Sequence, residues 1–89
     1  MAKQRTVYAR EAVIAVLREI AKPHAQPIVR FSKAEFIRTY WRLRRQGRIY
    51  FVKLETLLRY LRKLAEESRI VKYADRRKGT YILDQGELP

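Results

Sequence analysis

The chain contains no cysteine, which excludes disulfide frameworks and thiolate metal sites. It has no asparagine and only three glycines, a composition expected of a chain from a hot habitat. Its one histidine, His24, lies between Pro23 and Pro27 in what reads as a solvated loop. A histidine metal site needs companions, so neither a metal nor another cofactor is expected. There is no Gly-rich phosphate loop, no HExxH motif, and no pair of acids flanked by apolar residues. Ser32 is accounted for as a helix cap with no base in view, so the chain is not read as an enzyme. The longest apolar run, Ala12 to Leu17, falls far short of the roughly 20 residues a membrane span needs. The N-terminus lacks the apolar segment of a signal peptide. These absences predict a soluble intracellular chain with no membrane partner. Acids are the last scarcity: nine Asp and Glu face 21 Lys and Arg, a net charge of +12.

What is present points to a folded domain with a polyanionic partner. Apolar residues make up 47% of the chain, too many for a disordered segment despite its charge. The length of 89 residues predicts one domain over 1–89, with its core over about 6–84. Fourteen of the cations are arginine, whose planar guanidinium suits bidentate phosphate contact and stacking. An excess of one sign costs stability through self-repulsion and is most simply offset by nucleic acid.

Periodicity divides the chain into elements. Val13, Val16, Leu17 and Ile20 recur at helical spacing, predicting a helix from Thr6 to Ala21 with Thr6 as N-cap and Pro23 as terminator. "PIVRF" after Pro27 reads as a short strand. "SKAE" places Ser32 and Glu35 in a capping box, opening a second helix that runs from Lys33 to about Gln46 and ends at Gly47. In that helix Phe36, Ile37 and Trp41 are expected to pack inward. "RIYFV" fits either a strand or a buried connection. From Lys53 to Glu67 the residues Leu54, Leu57, Leu58, Leu61, Leu64 and Ala65 form one apolar stripe. "IVKYA" and "TYILD" then read as strands joined by a loop of about five residues, in which Asp75 seeds the turn and Gly79 supplies a positive φ.

This order, and above all "LETLLRYLRKLAEESRIVKYADRRKGTYIL", resembles the winged helix-turn-helix family. The resemblance implies an α+β fold of three helices with a C-terminal β-hairpin wing, the third helix reading DNA and the wing lying along it. In that family the turn between the second and third helices is short and polar, whereas "GRIYFV" here is longer and apolar. The implied partner is double-stranded DNA, with RNA an alternative and a homodimer or protein partner on an apolar surface a further one. The implied activity is transcription regulation or chromatin-like binding in the cytoplasm, at the nucleoid. Rival readings are a ribosomal or other RNA-binding protein and an accessory subunit of a replication or transcription complex.

Three groups of residues are the candidate contacts. On the third helix, Thr56, Arg59 and Lys63 fall opposite the leucine stripe, with Lys53 and Tyr60 on one flank. Arginine there can reach guanine O6 and N7 in a major groove. Pairs spaced i to i+4 (Glu55–Arg59, Arg62–Glu66, Lys63–Glu67) would instead make this a solvated, salt-laced face. On the second helix and just after it, Arg42, Arg44, Arg45 and Arg48 cluster without acids and suit backbone phosphates. The neighbouring Phe36, Tyr40 and Trp41 could stack bases, but at helical spacing aromatics are more often core. In the loop "DRRKG", Arg76, Arg77 and Lys78 have no structural task and suit phosphates or a narrow minor groove.

Overall fold

The computed structural model describes the backbone of residues 2–89 and the side chains of residues 8–89. It is an α+β fold of three helices and a three-stranded antiparallel sheet. The order is α1 (Ala2–Ala21), β1 (Ile28–Ser32), α2 (Lys33–Arg45), α3 (Leu54–Glu67), β2 (Val71–Asp75) and β3 (Thr80–Asp84), with a final 3-10 turn over Gln85–Glu87. Helix α1 begins at Ala2, so Thr6 lies within it and is not its cap; the Thr6 side chain lies outside the described residues. The run Ala2–Arg5 consists of strong helix formers, which extend the helix beyond the threonine. No described helix is long and apolar enough to cross a membrane.

The core is a single cluster. Helix α1 contributes Val13, Val16, Leu17 and Ile20, and packs on both α2 and α3. Helix α3 buries Leu57, Leu61 and Leu64, with Leu54, Leu58 and Ala65 partly covered at the edges of the stripe. From α2 come Phe36, Tyr40 and Leu43. Trp41 does not pack inward: it is 44% exposed, and its ring meets that of Tyr40 in a T-shaped contact with centroids 5.3 Å apart. Residues 36, 40 and 43 already fill the core-facing arc of α2, and position 41 is a further 100° round the helix from 40.

Local chemistry ends each element. Ser32 Oγ accepts from Glu35 N at 3.0 Å, half of the expected capping box. The reciprocal bond from Ser32 N to the Glu35 carboxylate is not made, although Ser32 is the last residue of β1 and lies opposite Thr80 in the ladder. Helix α2 closes in a Schellman motif: Arg48 N donates to Leu43 O and Gly47 N to Arg44 O, both at 3.0 Å, with Gly47 at φ 69°. "RIYFV" is neither a strand nor a uniformly buried connection. It is an irregular segment in which Val52 is buried while Tyr50 and Phe51 stand in solvent.

The sheet order is β1-β3-β2, with the last strand in the middle. Tyr81 faces Phe31 on one side and Tyr73 on the other, a cross-strand aromatic row with centroids 5.3 and 5.4 Å apart. A bulge between Tyr73 and Asp75 precedes the β2–β3 loop. That loop has four residues, Arg76–Gly79, one fewer than expected. Asp75 Oδ1 accepts from Arg77 N at 3.0 Å and Lys78 N at 3.2 Å, and Gly79 takes φ 64°. Both residues do what their place in the sequence predicts.

Candidate nucleic-acid interface

The β2–β3 loop is not an isolated tip. Lys33 N, at the start of α2, donates to Gly79 O at 2.8 Å and holds the loop against the helix. A shallow depression forms where loop, α2 and α3 meet, lined by Lys33, Arg62, Tyr73, Arg76, Arg77, Lys78, Gly79 and Tyr81. Five of those side chains are cations and none is an acid. Arg76 lies over the Tyr73 ring, 5.0 Å from its centroid, and pairs with Glu66 at 3.1 Å. Stacked and paired, its guanidinium has a fixed place beside the depression. The Arg77 and Lys78 side chains are exposed, and among the described residues their charged groups have no carboxylate within 4.0 Å. Burial pushes the Tyr81 phenol above its ordinary range, assisted by the neighbouring Tyr73 and opposed by Arg62 and Arg76; a phenol is neutral at neutral pH in either case, so the floor adds no charge of its own.

Helix α3 presents a mixed face. Arg59 and Lys63 are exposed, and Arg59 pairs with Glu55 at 3.6 Å with both side chains largely in solvent. Such a pair is worth about 0 to 1 kcal/mol and gives way readily to a phosphate or a base edge. The other two i to i+4 pairs do not form. Glu66 reaches Arg76 instead, while Arg62 turns to the loop depression. Lys53 and Thr56, at the N-terminal end of α3, line a second depression with Tyr8, Phe51 and Val52. Tyr60 is partly buried against the core and so is less available than its place on the wheel suggests.

The arginines around the end of α2 are dispersed. Arg45 is exposed with Arg38 and Trp41 on the face opposite the core. Arg44 lies over the Phe51 ring, its guanidinium carbon 4.6 Å from the centroid. Arg48 donates to Gln46 at the end of α2, and reaches α1 to pair with Glu19 at 3.1 Å. The hydrogen bond from Arg48 holds the Glu19 carboxyl below its ordinary value against a smaller cost of burial, with the charges of Arg48, Lys22 and Arg42 adding to it. Arg42 therefore belongs with Arg48 on the α1 side, and Arg44 with the α2–α3 segment. The four do not make one patch.

Two cations of the loop depression escaped the sequence reading. Arg62 entered it only as half of an i to i+4 pair with Glu66, and Lys33 reaches the loop through a contact across 46 positions of chain, for which no local signal exists. No protein-family model, curated protein or solved structure matches this chain. Among the described residues no group of three or more His, Cys, Asp or Glu side chains could hold a metal ion.

Proposed function

We propose that this chain is a winged-helix protein that binds double-stranded nucleic acid, DNA before RNA, with α3 entering a groove and the β2–β3 loop acting as the wing. The element order and the sheet order β1-β3-β2 support that fold reading. One observation carries the functional reading. Lys33, Arg62, Arg76, Arg77 and Lys78 converge on one depression from three elements, with no acid in its lining. Placing like charges together costs stability, and a polyanion in the depression offsets that cost. A phosphate backbone there would lay the exposed face of α3, with Arg59 and Lys63, along the same ligand. Arg44, Arg45 and Arg38 would extend the positive field across α2.

The test is a salt titration of binding to a duplex of mixed sequence. If about six to ten phosphates are neutralised, affinity falls on the order of 10³- to 10⁵-fold between about 50 and 200 mM salt. A nearly flat response would point to a protein partner in place of nucleic acid. Recovery of the native protein in ribosomes would sink the DNA reading and leave phosphate contact standing.

A further inference from the structure

Among the described residues, the two most exposed large hydrophobic side chains are neighbours in the segment between α2 and α3. Tyr50 is 68% and Phe51 61% exposed, although the residues on either side, Ile49 and Val52, pack against or into the core. The rings are therefore held outward on an anchored backbone, since Val52 is fixed by two hydrogen bonds to the Tyr40 hydroxyl. Tyr8 of α1 meets Tyr50 with ring centroids 5.0 Å apart, tilted by 44°. Phe51 carries Arg44 against its ring and shares a depression with Lys53 and Thr56 at the start of α3.

Charge selects the occupant. The rings are flanked by Arg44, Lys53 and Arg48. Of the acids nearby, Glu19 is paired to Arg48, which leaves Glu11 beside Tyr8. Protein interface cores are enriched in aromatic rings and arginine but depleted in lysine, and here Arg44 and Lys53 stand beside the rings without an ion pair among the described residues; that surplus of positive charge suits nucleobases, each of which offers a π-face while its phosphate meets the cation. Paired bases inside a duplex have both faces covered by their neighbours. Rings at this surface can reach only bases that are unpaired or lie at an opened step.

We propose that Tyr50 and Phe51, with Tyr8 behind them, form a stacking platform for unpaired bases at the α3 end of the duplex site. The protein then favours a duplex with a single-stranded tail over a blunt one. This rests on the duplex-binding reading above, and the test separates the two.

Fluorescence anisotropy is measured on a blunt duplex of about 20 base pairs, the same duplex with a tail of about six thymidines, and a thymidine oligonucleotide alone. The parent protein should bind the tailed duplex at least roughly tenfold more tightly than the blunt one. Tyr50→Ala with Phe51→Ala should abolish that preference while blunt-duplex affinity stays within about twofold, and Tyr50→Phe with Phe51→Tyr should keep it. Equal affinity of the parent for tailed and blunt duplexes overturns the platform and leaves duplex binding intact. A preference that survives the double alanine change overturns it too. Binding to tailed and single-stranded DNA without blunt duplex supports the platform and overturns the duplex reading. Binding to none of the three overturns both. The parent's comparison of the two duplexes decides the matter even if the double variant fails to fold.

Discussion

The Tyr40 hydroxyl bridges the two backbone polar groups of Val52, donating to its carbonyl at 2.6 Å and accepting from its N–H at 3.0 Å. Both bonds are buried, and Tyr40 is fully enclosed. A segment with no helix or strand of its own thereby gains a fixed point twelve residues from the ring that holds it. That point sets where α3 begins and which way Phe51 faces. Tyr40→Phe removes one hydroxyl and leaves a buried donor and a buried acceptor unsatisfied. The expected loss is about 1 to 3 kcal/mol in a denaturant titration, with the helical circular dichroism retained. A variant as stable as the parent would mean that water or a shifted backbone replaces the hydroxyl.

Arg48 and Glu19 make a second long-range tie, between the segment after α2 and the last turns of α1. The Glu19 carboxyl is held below its ordinary value of 4.5, chiefly by its hydrogen bond from Arg48. A carboxyl with a depressed folded pKa contributes stability that is complete above the unfolded value and is lost as pH falls through the folded one. Arg48 is about half exposed, so the contribution at neutral pH is about 1 kcal/mol or less. Glu19→Gln should melt slightly below the parent at neutral pH. The gap should hold down to about pH 5 and then narrow in acid. A gap that widens on acidification would reverse the assignment.

The sequence made the periodic elements legible because their signals are local. Leu57, Leu61 and Leu64 mark the buried face of α3 by spacing alone, and Asp75 with Gly79 marks the turn by backbone chemistry. Trp41 and "RIYFV" misled for one reason. Apolar character identifies a side chain that can be buried, but its neighbours decide whether room remains. Phe36, Tyr40 and Leu43 had filled that room beside Trp41. Val52 took the interior place in the α2–α3 segment, and its anchored peptide left Tyr50 and Phe51 outside. The loop cations were legible, but their meeting with Lys33 was not, since it depends on β3 returning between β1 and β2.

Core and surface should separate cleanly under substitution. Leu61 is fully buried in the middle of the α3 stripe with no cation in the core cluster to pair a carboxylate. Leu61→Asp should abolish cooperative unfolding, because a buried unpaired charge costs several kcal/mol, comparable with the whole stability of a small domain. Arg77→Ala touches an exposed side chain without a carboxylate partner and should leave the melting temperature within a degree or two. Circular dichroism melts of the two variants test this, and a folded Leu61→Asp would place the core elsewhere.

Positioning and reading should also come apart, and two variants distinguish them. In one, Arg76, Arg77 and Lys78 become alanine; in the other, Thr56 and Arg59 do. The loop residues are cations beside a depression with no acid in its lining, suited to phosphates or to a minor groove whose code is degenerate. Their loss should weaken binding to most duplex sequences by similar factors. It should also make the salt slope shallower by about 0.9 for each phosphate contact removed. Arg76 also pairs with Glu66, so Arg77→Ala with Lys78→Ala alone should give the same trend at smaller amplitude. Thr56 and Arg59 lie on the α3 face, where a good bidentate base contact discriminates by roughly 1 to 3 kcal/mol. Their loss should narrow the gap between a preferred site and random DNA while the salt slope falls by no more than about one unit. If the helix variant weakens all sequences equally, Arg59 only neutralises charge and the protein binds without regard to sequence. If the loop variant binds like the parent at every salt concentration, Arg76, Arg77 and Lys78 form a solvated turn and the wing has no ligand.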